Sequence, residues 1–169
     1  MNAANNLLVI CCAAAVLSTV SPARASQLPP AGLRGLRHTY IEVRVSPALI
    51  SDADLGSIRD TVATTLAAAG IAVVTENDSM NLDDCAELNI DIRLLESKSR
   101  SLIAYSVQAY VPQLVKLVRD PSLEFANDVA TYSDEALGLT RAEGLLSAVR
   151  ATAASLARSY AVVSRRENR

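Results

Sequence analysis

The sequence predicts an α+β fold: a two-layer sandwich in which a mixed, mostly antiparallel sheet carries two helices on one face. Several segments alternate apolar and polar residues, which is the period-two pattern of strands with one buried face. Two longer segments repeat apolar residues at steps of three and four, as amphipathic helices do. The predicted order β-α-β-β-β-(β)-α favours one layer of strands and one of helices.

The domain is predicted to open with a strand, a helix and a second strand. The first strand covers residues 40–46, where apolar and polar side chains alternate. Ser51 or Asp52 caps the helix that follows, and Gly70 ends it because glycine adopts the left-handed cap conformation without penalty. Residues 71–75 form a short apolar strand directly afterwards. These tight joins indicate a parallel pair of strands with a right-handed crossover.

The middle of the chain is predicted to be a loop followed by a β-hairpin. Residues 76–85 are polar and acidic, which is typical of a solvated loop. Alternating segments at 88–94 and 103–111 flank a turn, as in a hairpin. Proline belongs at a bulge or an edge, so we expect the second arm to bend at Pro112. A weaker strand is predicted at 127–132.

A long helix is predicted at the C-terminal end. Thr140 and Glu143 have the spacing of a capping box at its start. Its apolar stripe comprises Leu146, Val149, Ala153, Leu156, Tyr160 and Val163. We therefore expect a single domain over 39–164, an extended lead-in at 26–38 and a solvated tail at 165–169.

The N-terminal region has the pattern of a secretory signal peptide. The apolar run at 7–20 is shorter than the roughly 20 residues that cross a membrane, and Ala23-Arg24-Ala25 follows as a cleavage site. We therefore predict that residues 1–25 are removed after Ala25 and that the protein is periplasmic or secreted. The alternative is an uncleaved leader that anchors the protein in the membrane.

Two of the three cysteines, Cys11 and Cys12, lie within this leader. Its removal leaves Cys85 alone, so no internal disulfide is expected. The carboxylates of Asp83 and Asp84 are expected to raise the pKa of the Cys85 thiol, which argues against a nucleophilic role.

Composition argues against several function classes. His38 is the only histidine and no G-x-S-x-G motif occurs, so a serine-hydrolase triad is not expected. Zinc needs three or four His or Cys ligands, and the mature chain has two such residues. The net charge of −2 and the 4% aromatic content argue against nucleic-acid binding. We therefore predict no metal, no cofactor and no complete catalytic set. Enzyme activity remains open but is not favoured.

One face of the predicted sheet is polar and is the candidate site for binding a partner. Strand periodicity places these residues on the face opposite the helices. The candidate residues are Glu42, Arg44, Asp91, Arg93, Gln108 and Tyr110. Binding of an envelope protein through this face or an edge strand, or self-association, is the favoured hypothesis. The alternative is a small histidine-independent hydrolase or isomerase that uses carboxylates.

Several stretches together resemble a group of uncharacterised secreted or periplasmic bacterial proteins. They are LRGL (33–36), YIEVRVSP (40–47), VATTLAAAGIAVV (62–74), the strand at 86–94 and AYSVQAYVPQLVKLVRD (104–120). The resemblance implies an α+β fold and an envelope location, and it implies no site residues. Tyr132 and Tyr160 stand where the group often has Trp and Phe. More distantly, the β-α-β-β layout is similar to small periplasmic modules of envelope transport machinery.

Overall fold

The structure is a computed structural model that describes residues 30–46, 50–97, 102–117 and 120–169. The leader expected at residues 1–25 lies outside this range. The strands are β1 (His38–Ser46), β2 (Ala72–Val73), β3 (Cys85–Glu96), β4 (Ile103–Leu117) and β5 (Asp120–Thr140). The helices are α1 (Asp52–Ala68), α2 (Glu76–Ser79) and α3 (Leu145–Glu167), with 3₁₀ turns at Pro30–Leu33 and Ala142–Gly144.

The strands form one sheet in the order β2-β1-β3-β4-β5. β1 runs parallel to both β2 and β3, whereas β3–β4 and β4–β5 are antiparallel. Helices α1 and α3 pack against each other and against the sheet. The predicted α+β class and mixed sheet are therefore confirmed.

The hydrophobic core lies between one face of the sheet and the two long helices. Its fully covered side chains come from alternate strand positions and from one stripe of each helix. They include Leu88, Ile90, Val107, Val111, Ile58, Val62, Leu66, Val149 and Tyr160. Burying one such aliphatic side chain stabilises the fold by about 1.5 to 3 kcal/mol. The apolar periodicity of the sequence therefore identified the elements that build this core.

Helix α1 begins and ends as its sequence predicts. The Ser51 side chain accepts a hydrogen bond from the Asp54 backbone N–H at 3.2 Å, which satisfies a donor of the first turn. Gly70 follows the helix with a φ of 79°, a left-handed conformation that glycine adopts at little cost. Strand β2 then pairs in parallel with β1, although it is only two residues long.

Two local predictions were wrong, and one strand is longer than predicted. The segment predicted as a loop contains α2, because the Thr75 hydroxyl caps it by accepting from the Asp78 backbone N–H at 3.2 Å. The strand predicted at 127–132 is confirmed and is part of the longer strand β5. The capping box at Thr140 does not form, because β5 continues to that residue and α3 begins only at Leu145, without a side-chain cap. Strand pairing with β4 holds Thr140 in extended backbone.

The hairpin of β3 and β4 has the expected partners, with Ile92 opposite Val107. A register shift between Val111 and Pro112 of β4 confirms the predicted irregularity there.

At the other end of the domain, Asn168 connects the two termini of the described fold. Its amide accepts from the Gly35 N–H at 2.7 Å and donates to the Leu33 carbonyl at 3.0 Å.

Candidate functional site: the open face of the sheet

The face of the sheet opposite α1 and α3 is called the open face below. Strand alternation brings side chains from four strands onto it in rows that cross the sheet. One row contains Arg44, Asp91, Gln108 and Glu135, one residue from each of β1, β3, β4 and β5. The next contains Glu42, Asn89, Tyr110 and Ser133. Five of the six candidate residues lie in these two rows, and Arg93 lies on the same face in the neighbouring row with Ser46 and Ser106.

Arg44 is the centre of a charged cluster on this face. Its Nε and Nη2 donate to the two carboxylate oxygens of Glu42 at 2.9 and 2.6 Å, a bidentate pair. Its Nη1 donates to the Tyr110 hydroxyl at 3.4 Å and thereby links β1 with β4. The hydrogen bonds from Arg44 lower the pKa of the Glu42 carboxyl, and Glu42 in turn raises the pKa of the guanidinium.

Beside this cluster, two buried oxygens have no hydrogen-bond donor among the residues that the structure describes. They are Oδ1 of Asn89 and Oδ1 of Asp91. Asn89 is only 1% exposed, and its amide nitrogen donates to a carboxylate oxygen of Glu87 at 3.0 Å. A buried acceptor without a donor costs about 1 to 3 kcal/mol. Both oxygens lie beneath the surface of the open face, so this cost falls on the stability of the folded protein.

Tyr110 adjoins the same row of acceptors. Partial burial raises the pKa of its hydroxyl, and the negative charge of Asp91 raises it further. The hydroxyl therefore stays protonated at neutral pH. Its ring gives the cluster an aromatic surface with a polar end, a side-chain type enriched at interfaces.

The remaining two candidates extend the polar area away from Arg44. Gln108 donates to the Ser133 hydroxyl at 3.2 Å across β4 and β5. Arg93 is exposed and lies in the row with Ser46, Ser106 and Leu137. The hydroxyl of Ser106 donates to the carboxylate of Glu135. The polar cluster thus continues from β1 to β5.

The sequence prediction missed an apolar area at one end of the open face. Leu95, Leu137 and Leu139 are 73%, 65% and 66% exposed. Leu95 and Leu139 both flank Ala104 in one row across the sheet. For Leu95 the sequence held a signal: alternation along β3 predicts a polar residue at position 95, and an apolar one stands there. The other two leucines lie on a part of β5 that was not predicted as a strand.

The His38 side chain is held at the start of β1 by Asp84, with Nδ1 and Oδ1 2.8 Å apart.

The Cys85 thiol is half-buried, and its pKa is raised first by this burial and then by the charges of Asp84 and Glu87. The low reactivity expected for this thiol agrees with that shift.

Two surface clefts lie elsewhere on the domain. One, of about 330 Å³, is bounded by α1, β1 and the segment before α2 and is lined by Tyr40, Arg59 and Glu76 among others. The other, of about 490 Å³, lies by Gly70 and Arg165. Neither is lined by Glu42 or Asp91. Among the described residues, no group of three or more His, Cys, Asp or Glu side chains could hold a metal ion.

Comparison with known proteins bears on the fold. A PelC dodecamer from Paraburkholderia phytofirmans superposes with a TM-score of 0.50 at 16% identity, over 80% of this chain and 92% of that one. A variant of the same dodecamer gives a TM-score of 0.47 at 15% identity over the same shares. The first likeness shows a shared fold. No protein-family model and no curated protein matches the chain. In the described part of the chain, no helix is both long and apolar enough to cross a membrane.

Proposed function

We propose that this protein is a non-enzymatic envelope protein, periplasmic or secreted, that binds another envelope protein through the open face of its sheet or through an edge strand. One observation carries this proposal: the open face presents the exposed cations Arg44 and Arg93 beside the ring of Tyr110, with the exposed leucines Leu95, Leu137 and Leu139 next to them. Arginine, tyrosine and exposed apolar side chains in one area are typical of protein–protein interfaces.

The charges on the open face indicate which partner groups fit. Arg44 and Arg93 are exposed cations, and Glu42 and Glu87 lie beside Arg44. Carboxylates on the partner would pair with the two arginines, and charge complementarity of this kind steers association. The Tyr110 ring and the exposed leucines supply apolar area next to these charges, as protein interfaces do.

Self-association is a second form of the same binding function. The similar structure from Paraburkholderia phytofirmans is a dodecamer, which supports the proposal that this fold presents surfaces for copies of itself. The envelope location rests on the leader pattern in residues 1–25.

The test of open-face binding is recovery of partners from envelope extracts with the tagged full-length protein. We expect the triple variant Arg44→Ala/Arg93→Ala/Tyr110→Ala to recover much less of any specific partner than the natural protein does. The matched control is Arg158→Ala/Arg166→Ala, which removes two exposed arginines from α3. Unchanged recovery by the triple variant would exclude the open face as the binding surface.

A further inference from the structure

Strand β5 is an edge strand whose last part is exposed and apolar. Within the described sheet, β4 is its only neighbouring strand, so one side of β5 has no strand to accept or donate its backbone hydrogen bonds. The 3₁₀ turn Pro30–Leu33 contacts β5 near Thr131, well before this exposed part. Leu137 and Leu139 are 65% and 66% exposed. An exposed edge of this kind is a template for pairing with another chain.

Residues 135–141 are complementary to themselves. When two identical strands pair antiparallel, a twofold axis passes through one central residue. A residue that lies n positions before the centre is then opposite the residue n positions after it in the second copy. The two opposed side chains lie on the same face of the sheet. A pairing centred on Gly138 sets Leu137 opposite Leu139 of the second copy, twice. It also sets Glu135 opposite Arg141 of the second copy, twice. Both the apolar pairs and the opposite charges are thereby matched.

The local backbone allows this pairing to extend to Arg141. Arg141 follows β5 with φ −83° and ψ 159°, which is extended backbone, and its side chain is exposed. Gly138 places no side chain at the symmetry axis, and the Tyr105 ring fills the space where its Cβ would lie. Strand alternation puts 135, 137, 139 and 141 on the open face together.

Neighbouring centres lose this match. A pairing centred on Leu137 would oppose Leu139 with Glu135, and one centred on Leu139 would oppose Leu137 with Arg141. Each of these arrangements sets a charge against a leucine twice. Among these three registers, only the one centred on Gly138 matches leucine with leucine and glutamate with arginine. This match favours a second copy of the chain as the strand that pairs with β5.

We propose that two copies of this protein dimerise by antiparallel pairing of β5 residues 135–141 about Gly138, which joins their five-stranded sheets into one continuous sheet. This inference rests on the edge-strand form of the proposed function and names the occupant of that edge as a second copy. Arg44 and Glu42 lie on β1, with β3 and β4 between them and the paired edge, so they remain free for another partner.

Sedimentation velocity of the full-length purified protein, over a concentration series, tests the charge pairs. Glu135→Arg and Arg141→Glu each create two like-charge contacts across the axis, and we expect each to weaken the dimer about tenfold. The double variant E135R/R141E restores opposite charges and is expected to restore the dimer. Asp60→Arg and Arg158→Glu, exposed positions on α1 and α3, are the matched controls and should leave it unchanged.

Disulfide trapping tests the register. In a background with Cys11, Cys12 and Cys85 all replaced by serine, Leu137→Cys/Leu139→Cys places two pairs of thiols opposite each other across the axis, at Cβ separations of about 4.5 to 5.5 Å. We expect this double variant to form a covalent dimer on mild oxidation. Either cysteine alone faces a leucine and should crosslink far less. Within one chain, residues two apart on a strand are about 6.6 Å apart, too far for their Cβ atoms to bridge.

Three results would overturn the inference: a monomer at all concentrations, an assembly that is unaffected by either single charge reversal, or a double reversal that fails to restore association. Circular dichroism of each variant checks that it folds. The measurement uses purified protein alone, so its failure is distinct from failure of open-face binding. The triple variant at Arg44, Arg93 and Tyr110 should lose envelope partners and still dimerise.

Discussion

Tyr132 of β5 and Tyr160 of α3 meet edge to face in the core, with ring centroids 5.3 Å apart and ring planes at 71°. Such a contact contributes about 0.5 to 1.5 kcal/mol beyond the burial of the rings. The two hydroxyls differ in their partners. Tyr160 Oη lies 3.1 Å from the hydroxyl of buried Thr39, whereas Tyr132 Oη has no hydrogen-bond partner among the described residues.

Removing the hydroxyl is therefore predicted to change the free energy of unfolding differently at the two tyrosines. Tyr160→Phe leaves the Thr39 hydroxyl buried without its partner and should lower the free energy of unfolding by about 1 to 3 kcal/mol. Tyr132→Phe removes a hydroxyl that is buried and unpaired, so it should be neutral or stabilising. Urea denaturation of both variants is the measurement. Equal losses in the two would contradict the hydrogen-bond assignment.

The same tyrosines predict a loss of stability at alkaline pH. Burial raises the pKa of both hydroxyls above the ordinary value of 10.0, and Asp134 raises that of Tyr132 further. Above pH 10 the unfolded chain therefore releases protons that the folded chain retains. Their contribution is fully present below pH 10 and falls as pH rises above it, by at most about 1.4 kcal/mol per pH unit for each tyrosine. The double variant Y132F/Y160F should show a shallower decline in unfolding free energy between neutral pH and pH 11, and an unchanged slope would refute this origin.

The buried, unpaired oxygen of Asn89 predicts that this side chain can be replaced without loss of stability. Asn89→Val gives up one hydrogen bond to Glu87, removes the unpaired oxygen and adds a branched side chain that suits a strand. We expect the free energy of unfolding to stay equal or to rise, and recovery of envelope partners to be unchanged because Asn89 is only 1% exposed. Arg44→Ala is the comparison, because its exposed ion pair contributes less than about 1 kcal/mol to stability. A strongly destabilised Asn89→Val protein would show that the residue is structural.

Gly138 and Tyr105 are predicted to be energetically coupled. A Cβ at position 138 would overlap Tyr105 Cζ, so Gly138→Ala forces the ring to move and should cost about 1 to 3 kcal/mol. Leucine lacks the ring atoms that collide, so Tyr105→Leu should remove most of this cost in the double variant. A double-mutant cycle measured by denaturation gives the coupling energy. Additive effects would contradict the close approach.

Much of the fold could be predicted from local patterns. The cap at Ser51, the left-handed Gly70 and the irregularity at Pro112 follow from the conformational preferences of those residues, and all three occur as expected. The capping box at Thr140 failed because a local pattern competed with strand pairing. The β4–β5 ladder extends to Thr140, and its backbone hydrogen bonds outweigh the gain from one cap.

The sequence predicted which residues belong to the candidate site, but it did not predict which of them are in contact. Alternation along each strand placed Glu42, Arg44, Asp91 and Tyr110 on one face. Which of them touch depends on the order and register of the strands. The parallel pairing of β1 with β3 brings Arg44 opposite Asp91, and β4 then brings Tyr110 within reach of Arg44.

The sequence by itself determined the α+β class, the face on which each strand residue lies and the polar character of the open face. These properties depend on local periodicity, because neighbouring side chains of a strand point to opposite sides whatever the strand pairs with. Only the tertiary structure decided the length of β5, its place at the edge of the sheet and the exposure of Leu137 and Leu139. Those properties arise from pairing between segments far apart in the chain, which no local pattern specifies.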